Sequence, residues 1–562
     1  MKSKWTKLLA AVTSGALLGL AFPPWNLEFM VWIWALPLLW ALWCGERAEE
    51  LNTANRGRLR SLASLPFCRA AALGLIAGMV WGLISLNWVR HSSRVINGAY
   101  GDEWMGWGVE LLGWGAVVGL SLYCAAYVAI WAGFVDTVAR PHKDRLSSTS
   151  HSVKHAFLAA ASWVALEWVR GWMLTGFGWN GLGVALIENK ALIQAAELVG
   201  VAGLSFVPML VACLAFITGW RLIRQFKAGE RLQRRWDLTA GIVLLGAQLI
   251  YGMLTFTNKE EAGVTIRTAL VQQNVPQMDR WMASPERLTE IYQRYADLTK
   301  LYAKDVDLVV WPESGLILTW YHPDHPAYLN GLLSQGDFTL LSGVDLDEPT
   351  QGVYNAAVML KSDIENAKFY LKTHLVPFGE YVPGRTIIPG VDAVFRAILP
   401  GDITPGTSYE PLRLSKPDVD LIPLICFEDT VGRVARKFVR TERPQLIVNM
   451  TNDGWFLNSV ENTVHLNNAI LRCVELRRPM VRAANTGVTA VIDERGIVTD
   501  RLHDPQTGSP FIQGVLPARI SLATKQPMTL YSRWGDWFAG VMMLLCFGAI
   551  ITHIRSSKSM TN

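Results

Sequence analysis

"DLIPLICFEDTVG", residues 420–432, poses the question that decides how this chain is read. Residues 421–425 form an unbroken apolar run, the pattern of a strand buried in a sheet. Cys426, Phe427, Glu428 and Asp429 follow at once. A thiol therefore sits where a strand ends and a polar loop opens, and loops on rigid scaffolds commonly carry reactive groups. A thiol nucleophile needs a base for its proton and a donor or cation for the oxyanion it creates. Two other strand ends supply those residue types. One is "VVWPESG" (309–315), with Glu313; the other is "FYLKTHLVPFGEYVPGR" (369–385), with Lys372 and Glu380.

Working outward, strands and helices alternate. "TIRTALVQQNVPQ" (265–277) reads as a strand and turn. "SPERLTEIYQRYADLTKLYAKD" (284–305) reads as a helix, with Ser284 as N-cap and Leu288, Ile291, Tyr295 and Leu298 at helical spacing. "FTLLSGVDL", "YNAAVML" and "QLIVNMTND" are further strands. Such alternation over about 270 residues makes one α/β or αββα domain.

The rest of the chain is of a different kind. Over all 562 residues, 51% are hydrophobic and only 18% charged, with 24 Trp and a net charge of +5. That composition points to a bilayer. Apolar segments of spanning length lie at 8–23, 27–43, 67–88, 109–135, 156–174, 201–217, 238–256 and 537–554. Basic residues fill every second connection: Lys2, Lys4 and Lys7; Arg47 to Arg69; Arg140 to Lys154; Arg221 to Arg235; and Arg555 and Lys558. The positive-inside rule then gives about eight spans with both termini cytoplasmic, and puts the stretch from about residue 258 to 533 outside the cytoplasmic membrane. The expected domains are a seven-helix bundle over 1–257, a catalytic domain over 258–533, and an eighth helix with a cytoplasmic tail over 534–562. Glu167 and Arg170 fall inside the fifth span. Intramembrane charges default to functional candidates, although a structural pair fits them equally.

Of seven cysteines, only Cys426 and Cys473 lie in the outer domain. A disulfide between them is open on sequence grounds. Cys473 sits in the helix-like "HLNNAILRCVELRR" and reads as packing. The histidines lack ligand spacing with cysteines or carboxylates, so no metal is expected. No Gly-rich phosphate loop appears, and neither a cofactor nor a nucleic-acid partner is expected.

The order Glu313, Lys372, Cys426, each at a strand end, resembles the Glu-Lys-Cys triad of the nitrilase (carbon–nitrogen hydrolase) superfamily. The longer strings "LVQQNVPQ", "WPES", "KTHLVPFGEYVP", "CFED", "NMTNDGWF" and "RAANTGVTAVIDERG" together resemble the apolipoprotein N-acyltransferase family. That resemblance implies an integral membrane helical bundle of about eight spans carrying a periplasmic nitrilase-like αββα sandwich in the bacterial inner membrane. It implies transfer of a fatty acyl chain from a glycerophospholipid to the α-amino group of a diacylated apolipoprotein, through a Cys426 thioester, in a monomeric enzyme. Glu313 would be the base, and Lys372 with the Phe427 backbone N–H would hold the oxyanion. Glu380 and Glu428 would support the site, and Trp281 would contact the acyl chain. Two rivals remain: a membrane-tethered amidase hydrolysing an amide with the same triad, and a non-enzymatic transporter with an outer binding domain. The few charges within the spans and the lack of paired broken repeats argue against the transporter.

Overall fold

A computed structural model of the protein describes residues 2–44, 66–100, 106–231, 236–257, 262–362, 364–396, 401–524 and 527–559. The chain divides into two compact units. The first comprises Met1–Val89, Trp114–Thr255 and Asp536–Asn562; the second comprises Arg90–Gly113 and Phe256–Gly535. The segment 90–113, expected in the bundle, thus groups with the second unit.

The first unit is helical. Among the described residues, five helices are long and apolar enough to cross a membrane: Pro66–Ser85, Gly108–Thr137, Phe206–Lys227, Asp237–Thr257 and Trp537–Ser556. The other three expected spans depart from that standard for identifiable reasons. The helix Lys2–Leu20 opens with Lys2, Lys4 and Lys7, and Thr149–Arg170 carries Lys154, Glu167 and Arg170. The second expected segment is a 3₁₀ turn, Glu28–Trp32, followed by the short helix Ala35–Trp43. Near the sixth, Ala196–Leu204 contains the non-helical Gly200 and gives way to Phe206–Lys227. Glu167 and Arg170 both hold irregular backbone. Glu167 accepts from Leu182 N at 2.7 Å and from the Ser205 hydroxyl. Arg170 donates to Trp179 O at 3.1 Å and lies over the Trp81 ring. Away from water, each replaces a backbone partner that the loop 176–184 would otherwise lack.

The second unit holds two six-stranded sheets. The first runs in the order β12-β1-β2-β3-β4-β5, with β1 Ala262–Gln272, β2 Leu308–Val310, β3 Thr339–Glu348, β4 Gly352–Leu360, β5 Lys368–Leu371 and β12 Gly514–Ala523. The second runs β11-β10-β9-β8-β7-β6, with β6 Leu412–Ser415, β7 Asp418–Ile425, β8 Leu446–Thr451, β9 Met480–Ala484, β10 Ala490–Ile492 and β11 Val498–Arg501. In each sheet three strands run parallel, β1-β2-β3 and β7-β8-β9. Parallel strands are covered on both faces and so read as continuous apolar runs. β2, β8 and β9 are buried at every residue. At the edge, β6 alternates buried with exposed residues.

Helix Pro285–Lys300 starts at Ser284, whose hydroxyl accepts from Arg287 N. It packs Ile291, Tyr295 and Leu298, together with Leu329, Leu332 and Leu333 of helix His325–Leu333, against Val271, Val309, Leu340 and Val344. Helices Gly432–Thr441 and Glu461–Leu476 belong to the second sheet, with Val434, Phe438, Ile470 and Leu471 buried. The sheets are tied together where Thr489 Oγ1 donates to Gln272 Oε1 at 2.6 Å. Helix, sheet, sheet, helix is the layering that the alternation of apolar runs predicts.

Candidate active site

Glu313, Lys372 and Cys426 all lie just past the C-terminal ends of strands: β2, β5 and β7. That is the end of an α/β sheet where loops converge on ligands. Glu313 is set by a close backbone approach. A Cβ on Gly343 of β3 would lie 2.4 Å from Ser314 N and 2.7 Å from Glu313 Cα. Only glycine lets β3 come that near. Gly343 N then donates to Pro312 O at 3.1 Å, and Leu316 N to Gly343 O at 3.0 Å. Arg280, buried, clasps the same turn from helix Gln277–Trp281 by donating to Ser314 O.

The Lys372 side chain is buried and its ammonium lies between two carboxylates. It is 3.3 Å from Glu313 Oε1 and 2.8 Å from Glu380 Oε1. Burial works against its charge, but Glu380 and Glu313 outweigh burial and raise its pKa above the usual lysine range. Asn355 of β4 bridges the same two carboxylates, at 2.9 Å to Glu313 and 2.8 Å to Glu380. Glu380 also accepts from Val376 N at 2.7 Å. Glu313, Lys372, Glu380 and Asn355 therefore form one closed array.

Cys426 is half-buried and adopts a left-handed backbone, φ 50°. A side chain in that region is sterically disfavoured and persists only where its surroundings hold it. Asn449 Nδ2 donates to the Cys426 carbonyl at 3.4 Å. The thiol interacts with Glu313 and Lys372. Burial, then Glu313, push its pKa well above the ordinary thiol range, while Lys372 and the Thr451 hydroxyl pull it down. Cys426 and Cys473 are both free, and Cys473 is fully buried.

Glu428 anchors the nucleophile loop to the lysine loop. Its Oε1 accepts from Tyr370 OH at 2.7 Å, Thr373 N at 2.8 Å, Thr373 Oγ1 at 3.0 Å and His374 N at 3.1 Å. Its Oε2 accepts from Ile425 N at 2.9 Å. Burial pushes its pKa up, and these donors with Lys372 oppose that shift. Phe427 stacks on His374, with centroids 5.8 Å apart and 13° between planes. The side chain of Trp281 lies outside the described residues.

Sequence reasoning missed a second buried cluster. His465 Nε2 lies 2.9 Å from Asp429, and its Nδ1 lies 2.9 Å from Asp453 and 3.5 Å from Glu461. Arg482 Nη1 is 2.5 Å from Asp429, and Nη2 is 3.2 Å from Asp453. The expectation that histidines lack ligand spacing with carboxylates is therefore corrected. Glu461 and His465 are one helical turn apart, and with Asp453 their donor atoms lie within 4.8 Å of one another. As an imidazolium donating to Asp429 and Asp453, His465 offers no lone pair to an ion. Burial opposes the imidazolium, but Asp429 leads the groups that push its pKa up to about 10. Burial, then Asp453, hold Glu461 well above the usual carboxyl range. The missed signal was the Glu-x-x-x-His spacing in a segment otherwise rich in Leu, Ile and Val.

Two family models match the chain. Residues 14–214 match the family described as apolipoprotein N-acyltransferase N-terminal domain, and residues 267–528 match carbon-nitrogen hydrolase. The chain is 32% identical over 539 residues to apolipoprotein N-acyltransferase of Geobacter metallireducens, covering 94% of this chain and 92% of that one. It is 33% identical over 556 residues to apolipoprotein N-acyltransferase of Azotobacter vinelandii, covering 97% and 95%. The namesake from Rhodopseudomonas palustris is 28% identical, covering 99% and 96%.

Proposed function

This chain belongs to the apolipoprotein N-acyltransferase family, and from that premise we propose how its residues carry out the transfer. The acyl donor is a glycerophospholipid, and the acceptor is the α-amino group of an N-terminal diacylglyceryl-cysteine. Glu313 takes the Cys426 proton, and the thiolate attacks the ester carbonyl. The Lys372 ammonium and the Phe427 backbone N–H stabilise the tetrahedral oxyanion. Collapse breaks the ester C–O bond. Glu313 returns its proton to the departing lysophospholipid alkoxide, leaving a thioester on Cys426. The neutral amine attacks the thioester, gives its proton to Glu313, and the thiolate leaves. The proton on Glu313 then restores the thiol.

The observation that carries this reading is the Lys372 ammonium, buried between the Glu313 and Glu380 carboxylates and interacting with Cys426. A fixed cation beside a nucleophile costs no reorganisation when charge develops. Glu380 positions the lysine, and Glu428 holds the two loops in register. Trp281 contributes to the acyl pocket.

The membrane part keeps both lipid substrates out of water. Lifting acyl chains free of lipid would cost about 0.8 kcal/mol per CH₂. The full topology on this reading has eight spans with cytoplasmic termini and a periplasmic catalytic domain over 258–533, as a monomer in the bacterial inner membrane. Reporter fusions after Asp279 and after Gln225 read the topology. Activity of both on the same side overturns it.

Intact-mass analysis after exposure to phospholipid alone tests the chemistry. The protein gains one acyl mass that hydroxylamine removes, and Cys426→Ala gains none. Acylation of Cys426→Ala, or a label on Cys473, overturns the thioester route. Release of free fatty acid without transfer to a diacylated peptide identifies a hydrolase instead.

A further inference from the structure

β7 and β8 run parallel with Ile425 opposite Met450. The next residue on each, Cys426 and Thr451, therefore sit side by side at the end of the sheet. Thr451 is fully buried, and its hydroxyl donates to Asp453 Oδ1 at 3.2 Å. The same hydroxyl is within hydrogen-bonding reach of the Cys426 thiol. One hydroxyl has one proton and so serves one acceptor at a time. Asp453 does not depend on it: Oδ1 also accepts from His465 Nδ1 at 2.9 Å and Arg482 Nη2 at 3.4 Å. Arg482 further donates to Asn449 Oδ1 at 2.8 Å, and Asn449 holds the Cys426 carbonyl. The buried ion cluster thus grips both the nucleophile's backbone and the neighbour of its sulfur.

We propose that Thr451 is a further catalytic residue, whose hydroxyl donates to Asp453 while Cys426 is a thiol and turns to donate to the sulfur when the thiolate forms. The proposal rests on the reading of Cys426 as nucleophile. The proton lost by sulfur goes to Glu313; Thr451 keeps its own and changes only its acceptor. The charged groups facing the sulfur are Glu313 after β2, Lys372 after β5, Asp453 after β8 and Arg482 in β9. Two of these disfavour a thiolate. A neutral donor that swings onto it compensates without adding charge to the resting site. Asp453, Arg482 and His465 act through Thr451 and Asn449, as positioning residues.

The test uses the full chain in detergent. Iodoacetamide alkylation of Cys426 is followed against pH by peptide mass mapping, and acyl loading from phospholipid is followed in a single turnover. Thr451→Val keeps the shape and removes the hydroxyl. It moves the alkylation midpoint up by about one pH unit and slows loading by about tenfold or more. Thr451→Ser keeps the hydroxyl and loses a methyl; it stays within about threefold of the parent in both. A packing role predicts the opposite ranking. Thr451→Ala supplies the hydroxyl-free reading if the valine variant does not fold. A parental midpoint and loading rate in the hydroxyl-free variant, or a serine variant as impaired as it, overturns the proposal. Failure of the parent to load an acyl group overturns the nucleophile reading instead, while alkylation still measures the effect of Thr451 on the thiol.

Discussion

Around Lys372, two carboxylates share one cation. Around Asp453, two carboxylates face two cations, His465 and Arg482, and a third carboxyl, Glu461, is pushed toward its neutral form. Both clusters are buried in the second unit, and each touches the same cysteine: the first through Glu313 and Lys372, the second through Asn449 and Thr451. The difference is one of charge balance. An array with carboxylate in excess keeps a base for a proton to reach. A balanced array meets each charge with an opposite one and works as a mount. Burial is affordable in the balanced array because every ion meets an opposite ion within about 3 Å, the condition under which desolvation is offset.

The largest expected effect comes from unbalancing the mount. Arg482→Met leaves Asp429 and Asp453 facing each other with His465 alone between them. It lowers unfolding free energy by about 3–5 kcal/mol, read as a denaturant midpoint of the detergent-solubilised protein. A variant as stable as the parent breaks the comparison.

Next is the site itself. Lys372→Ala slows single-turnover acyl loading by about 10²–10³, as loss of an oxyanion donor does. Parental loading in this variant removes Lys372 from the chemistry.

The third effect is on pH dependence. His465 has its pKa raised from 6.5 to about 10 in the folded protein. A raised pKa means that the folded state binds this proton more tightly than the unfolded chain. The stabilisation is fully present below pH 6.5 and is lost as pH rises through about 10. Between pH 7 and pH 10 the protein loses about 3 kcal/mol of stability from this group. His465→Gln flattens the stability curve across that window, and an unchanged slope contradicts the imidazolium.

The smallest effect belongs to Cys473, fully buried in helix Glu461–Leu476. Cys473→Ala costs about 1 kcal/mol and leaves acyl loading unchanged. A loss of loading makes Cys473 more than packing.

The two clusters were unequally legible. Glu313, Lys372 and Cys426 each close a short apolar run, so their strand-end positions follow from local pattern, and motif resemblance ties the three together. Asn355 was hidden, because an amide within "YNAAVML" gives no sign of which way it faces. The mount's one local sign was the Glu-x-x-x-His spacing of Glu461 and His465, which names none of their partners. Its members come from the loop after β7, the turn after β8, helix Glu461–Leu476 and β9.

Hydropathy and periodicity mark the apolar helices and the strands and helices of the α/β unit, because burial against lipid or against a second layer leaves its mark on every few residues. They also set the ends of the strands, where apolar runs stop. Which polar side chains meet was decided only in three dimensions. The parallel register of β7, β8 and β9 brings Cys426, Thr451, Asn449 and Arg482 together across about 55 residues of chain. Crossover connections close such contacts, and no local pattern records them. The helical segments show the same limit: apolar length was visible, but the break at Gly200 and the grouping of Arg90–Gly113 with the second unit depend on packing partners distant in sequence.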